Sequence, residues 1–218
     1  MSMEDYIAAR KEGIKQLHAL ESRGQDPYLP VLAELVPKLN QMAQVPLGLV
    51  QIGLDQIEGT ATKGRTTAFA RGFLPLLEQD SEFATKWSIL YDGIVEDGLR
   101  QPIVALEYYN RFYIVEGNKR VSVMRRLDAV NIEANVTRVL PEAEDSERYR
   151  VYQEFLSFYA DTKLNFIVFS REGSYERLYK LIGKTPGEKW TPEDLFDFQS
   201  CFYRFQQAYA ARLGGEIP

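Results

Sequence analysis

The sequence predicts an α/β (α+β) chain of short strands alternating with helices, with an N-terminal helical arm and a C-terminal helical extension. Three observations carry this. Short β-branched and aromatic runs near 47–52, 101–106, 112–115 and 132–139 alternate with segments whose apolar residues recur every three or four positions. Gly and Pro punctuate the joints between them. The length of 218 residues, with 45% hydrophobic content, is enough for a real core in one domain or two small ones.

Taken in order, Ser2 followed by Glu4 and Asp5 starts a first helix whose pattern runs to about Ser22 and stops before Gly24. Pro30, Pro37 and Pro46 punctuate a short helical stretch, Val31 to Leu39, ahead of the first strand, Leu47 to Ile52. A polar loop, Glu58 to Thr67, follows and carries Lys63 and Arg65. Phe73 to Glu78 reads as a short helix. Asp80 or Ser81 caps a longer one with Phe83, Trp87, Leu90, Tyr91 and Ile94 on one face. Gln101 to Leu106 and Phe112 to Val115 read as two strands of a hairpin joined at Tyr109-Asn110-Arg111. Val121, Met124 and Leu127 then fall at helical spacing, and Ile132 to Val139 alternates as a strand that Pro141 ends.

The last third reads as a helix from Ser146 to Ala160, a strand from Asn165 to Phe169, a helix from Ser174 to Ile182 closed by Gly183, and a long final helix. Thr191-Pro192-Glu193-Asp194 marks the start of that helix with a cap, a Pro at the first position and two carboxylates in the first turn. Leu195, Phe198, Phe202, Phe205 and Tyr209 repeat at three and four, a seam little longer than two heptads. Intramolecular packing is its expected use, and a homodimer through this aromatic helix is the alternative. The expected divisions are 1–45 for the arm, 46–141 for the sheet domain, and 142–218 for an α/β extension whose long helix packs on the core.

Composition narrows the function. A net charge of −5 and a pI near 5.2 argue against a surface that grips nucleic acid throughout, so DNA binding is possible but not favoured. Cations do gather locally, at Lys119, Arg120, Arg125, Arg126 and Arg138 and in the earlier loop at Lys63, Arg65 and Arg71, which suits one small polyphosphate better than a duplex. No apolar run approaches the roughly 18 to 20 residues that span a bilayer, and the acidic start Met1-Ser2-Met3-Glu4-Asp5 is unlike a signal peptide. A cytoplasmic protein with no membrane partner is therefore expected. Cys201 and His18 are each alone, which rules out an internal disulfide and the usual zinc ligand sets; no metal site is assigned from protein side chains.

The sharpest local signal is Glu116-Gly117-Asn118-Lys119-Arg120, a Gly-centred turn with two adjacent cations between a strand and a helix. Amides at a helix start lack intrahelical partners and sit at the positive end of the macrodipole, so an anion there is stabilised before any side chain acts. Gly117, Asn118, Lys119 and Arg120, with Arg65 and Lys63 from the earlier loop, are the candidate phosphate ligands. Glu116 is the candidate catalytic residue, able to hold Mg²⁺ or accept a hydroxyl proton. Its plainer reading is a strand-end Glu that faces water or pairs with a nearby Arg. The segment Gly59-Thr60-Ala61-Thr62-Lys63-Gly64-Arg65-Thr66 stands one residue from a Walker A loop, but Arg replaces the motif Lys and no strand bearing a Mg²⁺ Asp accompanies it.

Three pieces in order resemble the N-terminal domain of ParB partition proteins, which shares its fold with sulfiredoxin. They are Ile52-x-Leu54-Asp55-x-Ile57 with Arg65 eight residues on, Gly98-Leu99-Arg100-Gln101-Pro102-Ile103-Val104, and Tyr113-Ile114-Val115 leading into Glu116 to Arg120. The resemblance spans about Val50 to Val139 and implies a small mixed sheet of that type in a bacterial-type, ParB-like protein. It also implies a nucleotide held with Mg²⁺, in which Gly117, Lys119 and Arg120 match the phosphate box. Asn118 departs from it, standing where ParB has Glu, and so puts the metal and the nucleotide's identity in question. A second ParB phosphate motif, expected after Val139, is not matched by Pro141 to Arg148, and no DNA-reading helix-turn-helix follows. Asn118 also occupies the position of the sulfiredoxin cysteine, and an amide cannot replace a thiolate there. Other relatives with this fold are small-molecule kinases whose box has an acid before the Gly, as Glu116 is here.

Three functions stay open on these residues. One is a nucleotide- or phosphate-binding module with a regulatory or ligand-responsive role. The second is a Mg-dependent phosphoryl-transfer enzyme or nuclease using the same pocket. The third is a protein interaction module.

Overall fold

The computed structural model describes residues 2–64 and 66–213, and the chain divides into two compact units, 1–143 and 144–218. The first unit holds, in chain order, α1 (Ser2–Glu21), α2 (Leu32–Leu35), β1 (Gln44–Gly53), β2 (Ile57–Thr60), α3 (Glu82–Asp97), β3 (Ile103–Tyr108), β4 (Arg111–Glu116), α4 (Asn118–Arg126) and β5 (Asn131–Val139). The five strands make one mixed sheet in the order β1-β5-β3-β4-β2. Pairing alternates across it: β1 with β5 antiparallel, β5 with β3 parallel, β3 with β4 antiparallel, β4 with β2 parallel. The chain is thus of the mixed α/β class.

Period-two side-chain alternation explains why this sheet buries one face. Along β3, Ile103 and Ala105 are buried; along β5, Ile132, Ala134 and Val136 are, with Asn131, Glu133 and Asn135 facing out. The β3–β4 hairpin turns on Tyr109 (φ 51°) and Asn110 (φ 62°), both left-handed, the two-residue turn whose twist suits antiparallel strands. Glu107 and Arg138, on adjacent strands, pair with each other in the interior, and Glu107 also accepts the Asn110 amide at 2.7 Å. Ser81 caps α3 by accepting the Ala84 amide at 3.2 Å, and Gly98 (φ 76°) follows its end.

The N-terminal helix does not stand off as an arm. Tyr6 and Ala9 are fully buried in the same core as Trp87 and the sheet, and the Tyr6 hydroxyl donates to Leu77 O at 2.7 Å. That burial pushes the Tyr6 pKa up to about 12. A Cβ on Gly13 would lie 2.6 Å from Pro75 O, so the helix needs glycine where it meets that segment.

Two expected helices are shorter or absent. Pro37 keeps Val36 out of the α region (φ −129°, ψ 83°), which ends α2 after Leu35. Phe73 to Glu78 is not helical: Pro75 disfavours the α region at Leu74, Phe73 takes φ 64°, and Phe69 bridges to Pro75.

The second unit is helical among the described residues: α5 (Glu147–Thr162), α6 (Ser174–Ile182) and α7 (Pro192–Leu213). Ser146 accepts the Tyr149 amide at 3.0 Å, Gly183 (φ 71°) closes α6, and Thr191 and Asp194 cap α7 reciprocally at 3.2 and 2.9 Å. The core is aromatic and centres on Phe158, whose ring lies 5.2 Å from Tyr175, 5.9 Å from Tyr179 and 5.8 Å from Trp190. The expected strand at Asn165 to Phe169 is irregular. It keeps strand-like burial, with Asn165 and Ile167 in and Phe166 and Val168 out, but no neighbouring strand supplies a ladder among the described residues.

Candidate functional site

The candidate site is built by the end of β4 and the start of α4. Gly117 takes φ 116° and ψ 20°, a conformation open mainly to glycine, and a Cβ there would fall 2.6 Å from Ile103 Cγ2. Glycine is therefore required twice over, by backbone angle and by the packing of β3. The first helical bond of α4 runs from the Val121 amide to Gly117 O at 3.0 Å, so the amides before Val121 have no acceptor within the helix. β2 lies parallel to β4 with Thr60 opposite Ile114, and the Ala61 amide donates to Ile114 O at 2.8 Å. The loop that follows β2 therefore leaves the sheet at the same end as Glu116 and Gly117. This topology brings the two sequence-predicted loops to one edge.

The side chains behave less uniformly than their charges suggest. Arg120 is mostly covered, and its guanidinium donates to Pro102 O at 2.6 Å and to Glu116 Oε1 at 2.9 Å. It fastens the start of β3 to the start of α4. Glu116, 71% exposed at its side chain, pairs with that arginine. Lys119 sits with Nζ 4.6 Å from the Phe83 ring centroid, a cation–π contact at the helix opening. Asn118 Oδ1 is buried and accepts no hydrogen bond among the described residues. Lys63 projects into solvent and pairs with Glu34 at 2.8 Å, which raises its pKa by that hydrogen bond and charge. Arg65 lies outside the described residues.

The wider basic cluster is spent on holding the fold. Arg125 donates to Leu54 O (2.8 Å), Ile57 O (2.9 Å) and Gly72 O (3.1 Å) and lies 5.0 Å from the Phe73 ring; burial lowers its pKa. Arg126 reaches Asp5 at 3.2 Å and Glu12 at 3.6 Å, tying α4 to α1. Arg138 pairs with Glu107 in the interior, and Arg71 lies 3.8 Å from Glu58. The expectation that these arginines form a polyphosphate pocket is corrected here: their partners are carbonyls and carboxylates of the first unit.

Three residues matter at this site that sequence reasoning did not single out. Ile103 sets the need for glycine at position 117, Pro102 offers the carbonyl that holds Arg120, and Phe83 carries Lys119. Pro102 and Ile103 lie within the Gly98 to Val104 segment and had a signal there; Phe83 had none beyond its place on the core face of α3. A single carboxylate, already bonded to Arg120, does not fit a protein-held Mg²⁺, and among the described residues no three His, Cys, Asp or Glu side chains gather as a metal site. Cys201 is exposed on α7, in the other unit.

No family model matches the chain, and no curated protein matches it. Among solved structures it is similar to a sulfiredoxin from Arabidopsis thaliana, at 20% identity over 40% of this chain and 82% of that one, with a TM-score of 0.29. A likeness of that size gives no chemistry to this chain; the site rests on its own geometry. Among the described residues no helix is long and apolar enough to cross a membrane.

Proposed function

We propose that the β4–α4 turn holds a phosphate group of a nucleotide or other phosphorylated small molecule, and that the chain serves as a ligand-responsive module. The observation that carries this reading is Gly117: its left-handed backbone, and the packing of Ile103 where a Cβ would fall 2.6 Å away, keep a glycine at the strand's end, where α4 opens. The ParB-like order of motifs in the sequence supports the same place for a phosphate. In this reading the donors are the opening amides of α4 and the Lys119 ammonium. Arg120 acts one step back, keeping the turn in place through Pro102 O.

Asn118 brings an amide where a related box has an acid, so the cradle loses a negative charge that would repel phosphate. Catalysis is not favoured, because Glu116 is already engaged by Arg120 and offers neither a free base nor a metal ligand set. Calorimetric titration with nucleoside triphosphates and with inorganic tripolyphosphate, each with and without Mg²⁺, tests the proposal. Saturable binding that Lys119→Glu weakens at least about tenfold supports it. No heat up to millimolar ligand, or equal binding by Lys119→Glu, would overturn it.

A further inference from the structure

α7 runs for 22 residues with no buried side chain among those described, although a helix in a protein draws its stability chiefly from a packed face. One face is accounted for inside its own unit. Phe198 lies 5.2 Å from Trp190 and Phe202 5.5 Å from Phe166, ring centroid to centroid, which consumes the first half of the aromatic seam read from sequence. The opposite face is a second seam, Phe196-Ser200-Tyr203-Gln207, spaced four, three and four. Phe196 is 70% and Tyr203 60% exposed, and the Tyr203 hydroxyl accepts from Gln207 Nε2 at 2.7 Å.

Charge along the helix is segregated. Glu193, Asp194 and Asp197 lie in its first third, Arg204 and Arg212 in its second half. Lys184 already holds Asp194, at 2.7 Å, whereas Asp197 meets no cation among the described residues. Arg204 rests on Ser200 O at 3.4 Å and Cys201 Sγ at 3.3 Å, with no carboxylate in range among those residues. A foreign partner of one charge sign would match one half of this helix and be repelled by the other.

We infer that α7 is a self-association helix whose partner is a second copy of itself, turned end for end. An antiparallel pair sets each acidic half against a basic half, while a parallel pair sets like against like. With Ser200 seated against Tyr203 of the second copy, small side chain opposes large. Phe196 then meets the aliphatic stem of Gln207, and Asp197 falls across from Arg204 on one flank. Gln199 faces Gln206 on the other flank. Every contact occurs twice, because the two-fold axis passes close to Cys201.

Sedimentation equilibrium of the full chain from micromolar to about millimolar concentration tests this, against a protomer of 25.1 kDa. The expected result is a reversible dimer whose dissociation constant rises at least tenfold for Asp197→Lys and for Arg204→Glu singly and returns toward the wild-type value in the double swap. Phe196→Ser, which alters neither charge, is expected to weaken the dimer as well, and circular dichroism at wild-type helicity confirms that each variant is folded. A monomer throughout the range, or a dimer indifferent to the single swaps or not restored by the double, overturns the inference.

Discussion

α4 and α7 start from equally clear local signals and end in opposite circumstances. α4 is nine residues long, and its arginines are all committed: Arg120 to Pro102 O, Arg125 to three carbonyls, Arg126 to two carboxylates of α1. α7 is more than twice as long, and Arg204 touches only atoms of its own helix among the described residues. A cap says where a helix begins; its side-chain partners say whether it is part of the frame or a surface. For α4 the consequence is that its arginines belong to the frame, and the proposed contacts with a ligand fall to the opening amides and Lys119. For α7 it is that Asp197 and Arg204, which meet no opposite charge among the described residues, remain available to something outside the unit.

The largest expected break in this contrast is Arg125→Ala, which removes a half-buried guanidinium that donates to the carbonyls of Leu54, Ile57 and Gly72. It is expected to cost about 3 kcal/mol in urea unfolding monitored on the first unit. Gly117→Val forces a side chain into a left-handed backbone and against Ile103, an expected loss of about 2 kcal/mol in the same measurement. Arg120→Ala frees Pro102 O at the partly covered edge and is expected to cost about 1 kcal/mol. If Arg120→Ala abolished phosphate binding with no loss of stability, the arginine would be a ligand rather than a fastener. On α7, Arg204→Ala measured at concentrations where the chain is monomeric should change stability by less than about 0.5 kcal/mol.

The smallest effect concerns pH. The Asp194 carboxyl is held down at about 2, first by its hydrogen bond with Lys184 and then by the Thr191 amide and hydroxyl. Because the folded value lies below the unfolded one, this capping support is full at pH values above the usual carboxylate range and is lost as pH falls from about 4 towards 2. The Thr191 amide resonance should follow that titration in NMR, and Asp194→Asn should flatten it.

What the sequence disclosed divides along the same line. The starts of α3, α5 and α7 at Ser81, Ser146 and Thr191 were legible because a cap is a local bond between residues three apart. The four main strands were legible as short β-branched and aromatic runs, the last of them also by its alternation, and Gly117 from its place between strand and helix. Phe73 to Glu78 and Asn165 to Phe169 were not. In the first, Pro75 defeats a helical composition; in the second, strand-like residues have no strand beside them. Nor was the use of the arginines legible. Charge in a sequence does not name its partner, and the acceptor of Arg120 lies 18 residues upstream, in a backbone carbonyl that no side-chain pattern marks. The buried Tyr6 likewise turned an expected arm into part of the core, through contacts with residues more than 70 positions away.

The most direct test of the β4–α4 turn as a phosphate cradle is an amide NMR titration of the full chain with a nucleoside triphosphate. Saturable shifts concentrated at Gly117, Asn118, Lys119 and Arg120, retained in Glu116→Gln and lost in Lys119→Glu, are the expected result. Saturation with those four amides unmoved, or no shift at millimolar ligand, would contradict it.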